Sequence, residues 1–259
     1  MVYLVFDFET TGLKPGHHEP IQVAALRLDA DLKEVGAFDA LMRPLKPELA
    51  SPEALAVNGR NLAELAAEPH PGEVLGRFAD FARAASEPAV MVGHNVGFDL
   101  EFLRHAEAAY DLSIPRREAA VDTCELARIH LESRGSIANS RLGTVAGHYG
   151  IEFRAHDALG DVRATGQILA RLMAEAPDLV QRAIAGTLFS ALLADAADAE
   201  PGSPFVASVS AQFEQKGWLS PKQIAALVRI ADRAKAPRPS PGSDDRRHPL
   251  PGRVGRKAP

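Results

Sequence analysis

The segment Val2-Tyr3-Leu4-Val5-Phe6-Asp7-Phe8-Glu9 constrains the fold more than any other stretch of the chain. It is short, apolar and rich in β-branched and aromatic residues, and it runs into Thr10-Thr11-Gly12, so it predicts a mostly buried strand that stops at a turn. Ile21 to Asp29 and Val35 to Arg43 alternate as strands do, with Asp31-Leu32-Lys33-Glu34 as a polar hairpin connection. The chain therefore opens with an antiparallel arrangement.

The periodicity then changes. After a Pro-rich loop carrying Pro44, Pro47 and Pro52, helical spacing runs from Gly72 to Ala85. A short apolar strand, Ala89 to Val92, leads into a helix from about Gly97 to Tyr110, and a further strand carries Val121 and Asp122. Cys124 to His130, Ser140 to Tyr149 and Ala158 to Ala174 place apolar residues three and four apart, so the second half is helix-rich. The expectation is an α/β fold with a mixed central sheet flanked by helices. The Ala, Asp, Glu, Pro, Gly and Ser composition of Ala194 to Pro204 marks a boundary. The expected organisation is a catalytic body over 1–175, a helix and linker over 176–204, a small helical unit over 205–235 and a disordered tail over 236–259. In the small unit Phe205, Val209 and Phe213 lie four apart, and Ser220-Pro221 supplies the N-cap and first-turn proline of a last helix.

Charge narrows the partners. The chain has 29 Lys and Arg against 34 Asp and Glu, a net −5, so no global basic field holds a polyanion and any nucleic-acid contact is local. The tail, with six Lys or Arg against two Asp, is the one region biased positive. It reads as a solvated tail or as a source of non-specific phosphate attraction. The single cysteine, Cys124, builds neither an internal disulfide nor a Cys-rich zinc site. No signal-like start and no run near the roughly 18 apolar residues of a membrane helix is evident, so the expected setting is cytoplasmic, away from membranes.

Asp7 and Glu9 lie two apart on a strand, and a side-chain period of two sends both carboxylates to one face near its end. Like charges so placed call for a cation, and hard carboxylate oxygens suit Mg²⁺ or Mn²⁺. Alone, the pair also fits a solvated strand end. Asp99, in His94-Asn95-Val96-Gly97-Phe98-Asp99, falls in the first turn of a helix after a buried strand, where it also fits a helix-start acid. Asp157 and Asp161, in His156-Asp157-Ala158-Leu159-Gly160-Asp161, open the next long helix, with Asp157 as a candidate N-cap.

Taken in order and spacing, Phe6-Asp7-Phe8-Glu9-Thr10-Thr11-Gly12-Leu13, His94-Asn95-x-x-Phe98-Asp99 and His156-Asp157-Ala158-Leu159-x-Asp161 resemble the three motifs of the DnaQ-like exonucleases, DEDDh subgroup. The resemblance covers residues 1 to about 175 and is nearest the proofreading (epsilon) type of bacterial DNA polymerase III. Weaker matches are Ser51 to Gly59, Val121-Asp122-Thr123 and Leu142 to Ile151.

The resemblance implies a ribonuclease H-like fold and 3′→5′ hydrolysis of a nucleic acid to nucleoside 5′-monophosphates. It assigns Asp7, Glu9, Asp99 and Asp161 to two divalent ions, Mg²⁺ or Mn²⁺, and His156 to the proton-accepting histidine. With an ordinary pKa near 6.5, that imidazole takes a proton from water close to neutral pH. Thr10, Thr11 and Gly12 are candidates for contacts to the terminal sugar, or are turn formers only. Leu13 and Phe98 are candidates to stack on the last base, or are core residues. His94 and Asn95 complete the substrate-binding candidates, with Asn95 also read as a holder of loop backbone. The implied partner is nucleic acid, a DNA 3′ end in preference, in proofreading or repair, with the C-terminal segment a possible contact for a polymerase or another replication or repair protein. The rival readings are an RNA 3′-end trimming exonuclease and a non-catalytic interaction module.

Overall fold

Alternation along β1 (Tyr3–Thr10) divides the molecule into two layers. Leu4, Phe6 and Phe8 point to one side of the sheet, and Tyr3, Val5, Asp7 and Glu9 to the other. In the computed structural model, which describes residues 1–84, 88–154 and 157–235, β1 pairs antiparallel along its length with β2 (Pro20–Leu28). β2 in turn pairs antiparallel with β3 (Glu34–Leu41). The helices α1 (Pro52–Asn58), α2 (Leu62–Leu65) and α3 (Pro71–Arg83) follow. Then come β4 (Ala89–Gly93), α4 (Val96–Tyr110) and β5 (Arg116–Asp122), with β4 parallel to both β1 and β5. The sheet order is β3-β2-β1-β4-β5, which is the expected mixed sheet and a ribonuclease H-like arrangement.

The two faces are covered differently. Phe6, Phe8 and Met91 pack against Val74, Leu75 and Phe78 of α3 and Phe102 and Leu103 of α4. The ring of Phe78 stacks on Phe6 with centroids 6.3 Å apart and meets Phe8 edge-on at the same distance. On the opposite face Val5, Leu26 and Val121 meet α5 (Thr123–His130), α6 (Leu142–His148), α7 (Ala158–Glu175) and α8 (Pro177–Ile184) through Leu126, Val145, Val162, Ile168 and Val180. A buried strand covered on both faces is what the apolar run Tyr3 to Phe8 requires.

One stretch differs from the expectation. The Pro-rich loop contains α1 and α2, because Pro52 sits at a first-turn position where its missing N–H costs nothing and Ser51 caps the helix through the Ala54 N–H. Residues 176–204 hold α8 and α9 (Leu188–Ala199), so helix continues through the alanines and aspartates of 194–199 and only Glu200–Ser203 connects onward. Alanine is the strongest helix former, and Leu192, Leu193 and Ala196 give the segment an apolar face to bury.

The last helices, α10 (Pro204–Lys216) and α11 (Pro221–Lys235), close a third cluster with α9. Ile224, Leu227 and Val228 pack there with Ile129 of α5, and Arg134 grips Asp232 through two bonds of 2.9 and 3.0 Å. In α10 the buried stripe is Val206 and Val209 with Phe213 beside it, while Phe205 is exposed, a phase shift from the spacing of four. Ser220 caps α11 reciprocally: its Oγ accepts the Gln223 N–H at 3.4 Å, and its own hydroxyl and N–H donate to Gln223 Oε1 at 2.8 Å. Among the described residues no helix is long and apolar enough to cross a membrane. The tail expected over 236–259 lies outside the described residues.

Candidate active site

β1 pairs with β4 only from Tyr3 to Val5, because β4 ends at Gly93 and the chain turns away into α4. The β4-side edge of β1 beyond Val5 is therefore open. Asp99, one turn into α4 and 3% exposed, reaches into this notch and its Oδ1 accepts the Phe8 N–H at 2.9 Å. On the α7 side of the same strand, Asp7 and Glu9 meet Asp161 from the first turn of α7. One carboxylate oxygen from each of these three lies within 4.8 Å of the others. Acids from three separate segments of the chain thus gather at the end of β1.

Their electrostatics follow from the crowding. Burial first, then the charges of Glu9 and Asp161, push the Asp7 carboxyl up to about 8. Burial and then Asp161 push Glu9 up to about 7, against a downward pull from Arg60. Asp99 is raised well above the usual carboxylate range by burial and by Asp7, against the opposing bond from Phe8. Acids that raise one another in this way need protons or a cation. Oxygens around one Mg²⁺ at ~2.1 Å lie about 3 to 4 Å apart, so the 4.8 Å grouping of Asp7, Glu9 and Asp161 fits a hard divalent ion after small side-chain rotations.

The other candidates divide into two groups. Leu13 is 78% exposed, which removes the core alternative, and Phe98 is half-buried with its ring 5.0 Å from that of Phe102. Asn95 holds a left-handed backbone (φ 70°), its N–H donates to Asp122 Oδ1, and its side chain is exposed. His94 faces inward instead. Its Nδ1 meets Thr123 Oγ1 at 2.9 Å and its Nε2 meets the Ser140 carbonyl at 2.8 Å, so both ring nitrogens are engaged within the fold, and burial lowers its pKa. His156 lies outside the described residues.

The Thr10-Thr11-Gly12 turn is committed to its own structure. Thr10 Oγ1 donates to the Gly12 carbonyl, Thr11 Oγ1 accepts the Glu19 N–H, and the Thr11 N–H donates to the Glu19 carbonyl. These are turn-forming bonds. Gly12 is required by contact, since a Cβ there would lie 2.3 Å from the His18 ring. The close approach is by His18. Asp157 occupies the N-cap of α7 with no side-chain capping bond among the described residues, and its carbonyl accepts the Asp161 N–H.

Three residues without an assigned role in the sequence matter to this geometry. Asp122 Oδ1 accepts N–H groups from Asn95, Cys124 and Glu125, tying the α4 loop to the start of α5. Asn58, buried at the end of α1, donates to the Thr10 carbonyl at 2.9 Å, and Gln22 accepts from Arg60 across from Glu9. Asp122 alone carried a local signal, an acid directly before an amphipathic run; the other two depend on tertiary register.

The exonuclease family RNase_T matches residues 4–169. A DNA polymerase III subunit epsilon-like protein of Rhodobacter capsulatus is 36% identical over 200 residues, covering 75% of this chain and 26% of that protein. A PolC-type DNA polymerase III of Latilactobacillus sakei is 32% identical over 178 residues, 68% of this chain and 12% of that one. The chain thus spans about a quarter or less of these relatives' length. E. coli exonuclease I, solved in complex with a dT13 oligonucleotide, superposes with a TM-score of 0.59 at 24% identity, over 69% of this chain and 42% of that one, a likeness of fold. With its sheet order, its converging acids and a family match over most of its length, the chain belongs to the DnaQ-like 3′→5′ exonuclease family.

Proposed function

We propose that the protein is a metal-dependent 3′→5′ exonuclease that removes nucleotides one at a time from a single-stranded or frayed DNA 3′ end, releasing nucleoside 5′-monophosphates in replication proofreading or repair. The observation that carries this reading is the meeting of Asp7, Glu9 and Asp161 within 4.8 Å, with Asp99 anchored beside them on Phe8. These four carboxylates are the assigned holders of two Mg²⁺ or Mn²⁺ ions. Bound there, such ions supply Lewis-acid polarisation of the phosphodiester and a lowered pKa for the attacking water.

The chain's own groups do the rest. Asp99 holds its orientation through the Phe8 N–H, and burial keeps the acids' mutual repulsion unscreened until cations arrive. Leu13, exposed beside the turn, and Phe98 offer apolar surface to the terminal base. His156, five residues before Asp161 in sequence, is assigned as the proton acceptor. The epsilon-like and PolC-type relatives support DNA over RNA as substrate and a replication setting.

The test uses 5′-labelled single-stranded DNA and matching RNA with Mg²⁺ or Mn²⁺, and chelator and Asp7→Ala controls. A descending one-nucleotide ladder on DNA, absent in both controls, is expected. A ladder on RNA alone, internal cuts, or a ladder surviving Asp7→Ala overturns the reading. His156→Ala is expected to lower kcat at pH 7 far more than it weakens metal binding, and normal turnover rejects the base assignment.

A further inference from the structure

Arg60 stands beside the acidic cluster without joining it. Glu9 and Gln22 are paired across β1 and β2, so their side chains rise from the same face of the sheet. Gln22 is buried, and its amide is oriented by donation from Nε2 to Asp39 Oδ1 at 2.7 Å. That leaves Oε1 to accept from Arg60 Nη2 at 2.6 Å. The backbone is fixed as well. Asn58 is bonded to the Thr10 carbonyl, Gly59 turns the chain in the left-handed region (φ 62°), and the Arg60 N–H returns to the Leu55 carbonyl.

The guanidinium is therefore held from two directions at a position where its field reaches Glu9. Among the described residues it makes no ion pair within 4.0 Å and its one side-chain hydrogen bond is to Gln22, a neutral group. Its Nε is buried without a hydrogen-bond partner. A guanidinium carries five N–H donors in a planar fork suited to two oxygens of one anion. An arginine next to carboxylates ordinarily closes on them; here Gln22 restrains it, and the carboxylate oxygens stay available to cations.

We propose that Arg60 is a substrate-binding residue that holds a backbone phosphate of the nucleic-acid strand beside Glu9, positioned for this by the Asp39–Gln22 relay. The assignment rests on the exonuclease reading and adds to it the group that grips the strand's charge next to the acids. Neutralising the arginine weakens strand binding, and it does so through one phosphate only.

The experiment measures binding of a 5′-fluorescein oligothymidylate by anisotropy in Ca²⁺, using wild type, Arg60→Gln and Arg60→Lys. The oligonucleotide is either fully charged or carries one neutral methylphosphonate at the first or second linkage from the 3′ end. Arg60→Gln is expected to weaken binding of the fully charged strand about tenfold, in line with loss of one charge-assisted contact. On the strand lacking the contacted phosphate the same substitution has less than about a twofold effect, and Arg60→Lys is intermediate. Titration calorimetry with Mn²⁺ alone is expected to give Arg60→Gln an affinity no weaker than wild type. Equal losses on every oligonucleotide, no loss, or weakened Mn²⁺ binding each overturn the assignment. Wild type that fails to bind the strand, or yields no ladder in Mg²⁺, overturns the exonuclease reading together with it, whereas a normal wild type with an indifferent Arg60→Gln overturns Arg60 alone.

Discussion

Asp7, on the central strand, and Asp122, on an edge strand, lie toward the same end of the sheet on strands that run in the same direction, and their surroundings are opposite. Asp122 is met by donors: one oxygen receives three backbone N–H groups and thereby joins α4 to α5. Asp7 is met by other acids, and burial first, then their charges, push its carboxyl up to about 8. Position on the fold is therefore uninformative about role. An acid ringed by N–H groups is satisfied by the protein itself, whereas an acid ringed by acids is not.

The largest effect that tests this contrast is on turnover. Asp7→Asn is expected to reduce exonuclease kcat by at least about a thousandfold, the scale of losing an electrostatic contact specific to the transition state. Loss below tenfold in a gel assay with saturating Mg²⁺ would place Asp7 outside the chemistry. The next effect is thermal. Folded-state values of about 8 for Asp7 and about 7 for Glu9 lie above the ordinary carboxylate range. Protonation therefore favours the metal-free fold, and this contribution, complete below about pH 4, is lost as pH rises through 7 to 8. In EDTA, the Tm of Asp7→Asn should exceed that of wild type by roughly 2–5 °C at pH 8.5 and converge with it at pH 5. Adding Mg²⁺ should close the gap at high pH by stabilising wild type.

Asp122→Ala reverses the pattern. Losing a cap and leaving its N–H groups without an acceptor costs about 1–2 kcal/mol in urea unfolding. An unchanged midpoint would remove Asp122 from the structural side of the comparison. The smallest effect belongs to Leu13→Ser, where exposure of 78% predicts a stability change within about 0.5 kcal/mol. Its KM for a single-stranded DNA end should nonetheless rise severalfold, and an unaltered KM would remove Leu13 from the substrate surface.

What could be read from the sequence was set by how local the signal is. Period two in β1 put Asp7 and Glu9 on one face without any tertiary information, and the apolar runs of β1 and β4 announced a buried sheet. Three prolines give the α1 segment the look of a loop and mask its Ser51-Pro52 start, although proline at a first helical turn is a helix signal. Within the 194–204 boundary segment the composition marks where the chain changes, but not that helix runs to Ala199, because helix propensity and the buried Ala196 act beneath the charge. The two partners of His94 lie 29 and 46 residues further along, so its inward bonds leave no local signal. Arg60 depended on the register that sets Glu9 opposite Gln22, which no periodicity reveals.

The early end of β4 has a consequence for what the fold tolerates. Asp99 reaches the Phe8 N–H because only a few residues separate the last strand pair at Gly93 from its own helical turn. A single amino acid inserted between Gly93 and Val96 shifts the helix phase of everything after it by about 100° and swings that carboxylate out of its gap. The hairpin between β2 and β3 faces no such demand. Length variation among natural or engineered versions of this scaffold should therefore collect in the hairpin and be missing from the joint, making loop length there as strict a specification as the acids themselves.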